Sequence, residues 1–219
     1  MRHGLRTVFG AAALLVTGSA GCSGGDGNPA VPAVPRASAP TVAPSPLPPD
    51  LTGAFDRTRT ILTESLEQEA ANVPGPQGLM LVEAWPDGAA YAWETPDQRL
   101  CSATVTSTTV RERICHSNPL DPPVASIRGV QAHFTLFTDG WVRVFSADHQ
   151  EVTSATCGST PVAVRRVGTV ASGARTLYAV RFASYTKGSI GLSLSHDGTT
   201  SEAPFVIGEL GDHTCTPTS

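Results

Sequence analysis

Between Leu51 and Val73 the apolar positions recur every three or four residues, at Leu51, Phe55, Leu62, Leu66, Ala70 and Val73, with Thr58 in the same stripe. That is the period of a helix with one buried face. Pro74-Gly75-Pro76 ends it, because proline lacks the amide donor a continuing helix needs. Asp50 or Thr52 suits the start as a cap, and Glu64, Glu67 and Glu69 read as the solvated side. Beyond Gly78 the period becomes two. Leu79 to Trp85, Ala89 to Trp93, Arg99 to Val105, Val110 to Cys115, Gln131 to Phe137, Trp141 to Phe145, Val162 to Val167, Thr176 to Phe182, Ser189 to Ser195 and Phe205 to Ile207 are predicted strands, separated by turn residues. One helix followed by short strands predicts an α+β domain that is mostly antiparallel. Residues 51–219 are expected to form a single domain in which this amphipathic helix packs on a curved sheet or sandwich of short strands.

The turns show a faint repetition. Trp85-Pro86-Asp87-Gly88, Phe137-Thr138-Asp139-Gly140 and Tyr185-Thr186-Lys187-Gly188 each join two strand candidates, and second turns follow at Thr95 to Asp97, Ala147 to His149 and His196 to Gly198. Asp-Gly supplies the positive φ of tight hairpins, so each unit reads as a three-stranded meander, whether by duplication or by recurrent hairpin chemistry.

Five cysteines are present, four of them in the strand-rich region: Cys101, Cys115, Cys157 and Cys215. Four allow three pairings. Cys101 and Cys115 lie symmetrically about Thr108 on two strand candidates, which favours a bond across that hairpin and leaves Cys157 for Cys215. Their spacing matches neither a CxxC redox pair nor a zinc finger, so structural disulfides are expected.

The fifth cysteine belongs to a different kind of segment. Met1 to Arg6 carries two positive charges, Val8 to Val16 is apolar, and small residues lead to Cys22, which together give the regions of a secretory signal over residues 1–21. The apolar run is much shorter than the roughly 20 residues of a membrane-spanning helix. Ser19-Ala20-Gly21-Cys22 resembles the lipobox of bacterial lipoproteins, with Ser19 where the family usually has Leu. The resemblance implies that Cys22 becomes the acylated N-terminus on the outer face of the cell membrane; the alternative is an ordinary secretory signal and a diffusible protein. Eight prolines between Pro29 and Pro49 make residues 22–50 an extended tether with no core-forming residues, at ~3.1 Å per residue in polyproline II. With 14 Arg and a single Lys, the chain as a whole resembles exported lipoproteins of actinobacterial type.

Charge removes further partners. Without residues 1–21 the chain keeps 13 basic against 19 acidic side chains, a surface that repels nucleic acid. The chemistry-bearing residues form no recognisable catalytic constellation. Ser184-Tyr185-Thr186-Lys187 fits the SxxK pattern of penicillin-binding enzymes, but it approaches a turn and has no SDN or KTG companion. His133, His149, His196 and His213 lie near Asp139, Asp148, Asp197 and Asp212 and read as solvated histidines, with no metal or cofactor implied; His149 and His196, in analogous turns, are candidates for one rim. Glu83, Glu94, Glu151 and Glu202 are the carboxylates from which a glycosidase pair would be drawn.

The remaining signal is aromatic. Trp85, Tyr91, Trp93, Trp141 and Tyr185 cluster around the hairpins, and Trp85, Trp141 and Tyr185 sit beside turns, where grooves for carbohydrate or peptide are often built. The expectation is a lipid-anchored extracytoplasmic binding or interaction module of the cell envelope, facing a wall polymer or an envelope protein. The alternatives are a cell-envelope hydrolase with a site assembled from distant residues, and a structural or regulatory ectodomain.

Overall fold

The computed structural model describes residues 52–124, 129–138 and 140–215. The readings for the signal, Cys22, the tether, the Asp50 cap, Leu51 and Asp139 lie outside these residues. The helix α1 (Thr52–Glu67) buries Thr58, Leu62 and Leu66 of the expected stripe. It stops before Pro74, because the chain turns into a short 3-10 segment at Ala70–Asn72 whose carbonyls are claimed from outside: Trp93 Nε1 donates to Asn72 O at 2.8 Å and Arg99 Nη2 to Ala71 O at 2.5 Å.

Thirteen strands follow among the described residues, in three sheets. The first is a meander of β1 (Met80–Trp85), β2 (Gly88–Glu94), β3 (Leu100–Thr106) and β4 (Val110–Cys115). The second contains β5 (Val130–Phe137), β6 (Trp141–Asp148), β9 (Val164–Val170) and β10 (Arg175–Phe182), in the order β5-β6-β10-β9. The third contains β7 (Glu151–Cys157), β8 (Thr160–Val162), β11 (Thr186–His196) and β12 (Thr199–Gly208), in the order β12-β11-β7-β8, with β13 (His213–Cys215) parallel to β11.

The layers run helix, first sheet, second sheet, third sheet. Alternation explains why. In β2, Ala89, Tyr91 and Trp93 face α1 with Leu62 and Leu66, while Ala90 and Ala92 face the second sheet with Val142, Val144 and Leu177. In β6, Val142 and Val144 face the first sheet, and Trp141, Phe145 and Ala147 face Ile190, Leu192 and Phe205 of the third. Sheets covered on both faces need both sets of alternating positions to be apolar, which is how the sequence reads there. Small residues let the layers close up: a Cβ at Gly168 of β9 would stand 2.4 Å from Met80 Sδ of β1. Tyr91, fully buried, shares a 2.9 Å hydrogen bond with the Thr58 hydroxyl and so ties α1 to β2.

Both expected disulfides are present. Cys101 and Cys115 face each other across β3 and β4, and Cys157 joins Cys215. Gly188 has φ +96°, and any Cβ there would meet Cys215 O at 2.1 Å, so glycine is what admits the C-terminal strand beside β11. The repetition of meanders is not realised as three equal units. The turns after Ala147 and Phe182 carry the chain from the second sheet into the third, since β6 and β10 belong to one and β7 and β11 to the other. Strands β7, β8 and β13 were not anticipated, and β12 runs longer than Phe205 to Ile207 because Thr199 to Glu202 continue its ladder with β11.

Candidate functional site

Two of the exposed sheet edges lie next to each other. Among the described residues β5 pairs only with β6, and β12 only with β11, and the two touch across the space between the second and third sheets. A groove of about 460 Å³ runs there between Val130 and Ala132 of β5 and Ala203 to Val206 of β12, floored by Leu192. Val206 also borders a second cleft, of about 410 Å³, formed by Thr135, Trp141, Arg143, Tyr185 and the segment from Ile207 to Leu210. Both fall within the range of small-molecule sites.

The second cleft carries two unusual polar groups. Trp141 is only 2% exposed and stands 5.4 Å from the Tyr185 ring and 5.2 Å from that of Phe182, yet its buried indole Nε1 has no hydrogen-bond partner. Arg143, two residues along β6 and on the same face, donates from Nη1 to Thr135 Oγ1 at 2.6 Å, while its buried Nε is likewise without a partner. Burial works against the Arg143 charge and holds its pKa below the usual arginine value. No carboxylate among the described residues comes within ion-pair distance of it; Glu209, in the same cleft, is exposed. Buried N–H groups are almost always satisfied in folded proteins, so two unpaired donors on residues lining one cleft set it apart from the other clefts.

The rim is apolar. Of the six exposed large hydrophobic side chains in the described residues, Tyr185, Val206 and Leu210 line this cleft, and Phe137, 60% exposed, lies 6.0 Å from Tyr185. Val206 and Leu210 are 58% and 71% exposed. Monomeric proteins seldom gather such residues without a use for them.

A different cleft, of about 510 Å³, opens between His116 to Asp121 after β4 and Gln131 to His133 of β5. A bulge between Ala132 and Phe134 turns His133 inward, where its Nε2 meets Ser146 Oγ at 2.9 Å. Burial, followed by the neighbouring His116, lowers the His133 pKa to about 3, and burial lowers that of His116 as well. This pairing of hydroxyl and imidazole lacks the properties of a nucleophile and its base. Ser146 is fully buried, His133 Nδ1 has no partner to orient it, and an imidazole titrating so low is a poor proton acceptor near neutral pH.

The other sequence candidates take separate places. Trp85 is buried between the first two sheets and borders a smaller cleft with Phe137 and Thr138. His149 and His196 do meet at one rim, His196 Nδ1 lying 2.5 Å from His149 O, while His213 is exposed on β13. Ser184 accepts a hydrogen bond on its backbone from Thr186 Oγ1, and Lys187 already belongs to β11. Glu83 pairs with Arg181 at 3.0 Å, Glu94 accepts from the Ala171 amide, Glu151 lies on β7 and Glu202 is exposed on β12. No group of three His, Cys, Asp or Glu among the described residues is arranged to hold a metal ion. None of the helices described is long and apolar enough to cross a membrane.

Of the three aromatics singled out in the sequence, Trp141 and Tyr185 line this cleft and Trp85 does not; Arg143 was not singled out, although its i, i+2 relation to Trp141 puts it on the same face of β6. The edges β5 and β12 gave no signal, because nothing local says which strands end a sheet. The chain matches no protein-family model, and no curated protein matches it at a significant level.

Proposed function

We propose that the chain is a lipid-anchored extracytoplasmic binding module of the cell envelope, and that it holds its ligand in the cleft of Trp141, Arg143 and Tyr185. The observation that carries this reading is the pair of buried, unpartnered donors, Trp141 Nε1 and Arg143 Nε, on two residues that line a cleft with an apolar rim. Two disulfides suit an oxidising setting outside the cytoplasm, and the Cys22 box and the tether would hold the domain off the membrane. The hydroxyl–imidazole contact found among the described residues, Ser146 with His133, has its hydroxyl fully buried and so lends the hydrolase reading no support.

The reading is tested by placing a photo-crosslinking amino acid at Val206, beside the cleft, and at Thr160, exposed on the opposite edge strand of the same sheet. Irradiation of intact cells is expected to give an adduct with an envelope component at position 206 and none at 160. Equal labelling at both positions, or none at 206, sinks the reading. Mass spectrometry of the membrane-bound chain, with and without Cys22→Ser, tests the anchor separately.

A further inference from the structure

We propose that the ligand of this cleft is a monocarboxylate with an apolar tail, its head accepting from Trp141 Nε1 and Arg143 and its tail lying against Val206 along β12. The inference rests on the reading of the cleft as a binding site and adds the chemistry of the occupant. Three observations converge on it. The unpaired groups on two residues that line the cleft are N–H donors, so the ligand must bring acceptors. One of them belongs to a guanidinium with no described carboxylate at ion-pair distance, so an anionic acceptor compensates a charge that a neutral one leaves bare.

The third observation is direction. From Val206 the apolar groove leads away from Arg143, along Val130 and Ala132 on one side and Ala203, Pro204 and Phe205 on the other. It offers no polar side chain to the hydroxyls of a glycan. An acyl chain fits these walls, and the groove is open to solvent, so the tail is only partly covered and exchange is fast. Glu209 opposes the head from the exposed lip of the cleft, a repulsion that limits affinity and gives the proposal a second readout.

The test uses the exported chain carrying Cys22→Ser, which has no cysteine to acylate after the signal, and calorimetric titration with sodium octanoate, octan-1-ol and sodium acetate. Octanoate is expected to bind about tenfold more tightly than the alcohol or acetate. Arg143→Met should reduce octanoate affinity by about tenfold and leave octanol unchanged. Glu209→Gln should tighten octanoate alone, and Val206→Asp, at an exposed position that folding tolerates, should weaken octanoate and octanol together. If Arg143→Met fails to fold, the Glu209 and Val206 variants still decide.

Equal binding of octanoate and octanol overturns the carboxylate head, and equal binding of acetate and octanoate overturns the tail. A peptide ending in Val-Leu with a free carboxylate that outcompetes octanoate overturns the acyl class in favour of a chain terminus. If no carboxylate binds while position 206 still crosslinks in cells, the ligand class falls and the binding reading stands; if neither occurs, both fall.

Discussion

Arg175 of β10 stands directly opposite Asp148 of β6, and the two form a paired-donor ion bridge, 2.5 Å from Nε to Oδ1 and 2.9 Å from Nη2 to Oδ2, with neither side chain exposed. The bridge also gathers the long connection between β4 and β5: Asp148 Oδ2 accepts from the Val124 amide, and Arg175 Nη2 donates to Asp121 O. Its charges thus hold the described part of that connection at Asp121 and Val124. Removing one partner strands a buried charge, so Asp148→Asn is expected to destabilise the fold by roughly 3–5 kcal/mol in urea denaturation. The double replacement Asp148→Leu with Arg175→Met should recover most of that loss. A single variant as stable as wild type would show that the bridge does not hold the connection.

Acid should act on the His133 cleft before it acts on the carboxylates. The His133 pKa is about 3 in the fold against 6.5 for the unperturbed side chain, so the unfolded chain binds a proton that the folded chain refuses. Stability from this source is complete above about pH 6.5 and falls as the pH drops toward 3, by an amount of the order of 4 kcal/mol. His116, shifted in the same direction by burial, adds to the effect; Arg175, Arg143 and His116 disfavour a proton on His133, and Asp148 favours one. Thermal unfolding between pH 7 and 5 should show a falling midpoint in wild type and a flatter profile in His133→Asn. An unchanged slope in the variant would assign the acid sensitivity elsewhere.

The two disulfides are expected to contribute unequally. Closing 58 residues between Cys157 and Cys215 removes more freedom from the unfolded chain than closing 14 between Cys101 and Cys115, about 4 against about 3 kcal/mol in the loop-entropy account. The longer link also reaches the cleft, because β13 begins at His213, whose amide, like that of Asp212 before it, donates to Tyr185 O. Cys157→Ala with Cys215→Ala should therefore lose more stability than Cys101→Ala with Cys115→Ala, and should weaken ligand binding as well. The reverse order of stabilities counts against the entropic account.

How far the sequence led can be traced through single residues. Leu62 and Leu66 announced α1 because a helix repeats its buried face locally, and Cys101 with Cys115 announced a hairpin because both sit near one turn. The alternation at Tyr91 and Trp93 gave β2, yet it could not say that both faces are covered; that depends on which sheet lies behind Ala90 and Ala92. The crossing from β6 to β7 was hidden because Ala147, Asp148 and His149 resemble an ordinary hairpin turn. At the site, Trp141 and Tyr185 stood out as aromatics beside turns. Arg143, the partnership of β5 with β12, and the Arg175–Asp148 bridge depend on contacts between distant segments, which no local pattern records.

The most direct test of a ligand in the Trp141 cleft is the set of indole N–H resonances in a nitrogen-15 spectrum of the protein, which contains three tryptophans. Trp93 Nε1 is already bonded to Asn72 O and serves as an internal control, whereas Trp141 Nε1 has no partner. On titration with envelope extract and then with octanoate, the Trp141 resonance should move downfield as it gains an acceptor, while that of Trp93 stays in place. A Trp141 resonance that does not move, or three resonances that move together, would contradict the assignment of this cleft as the binding site.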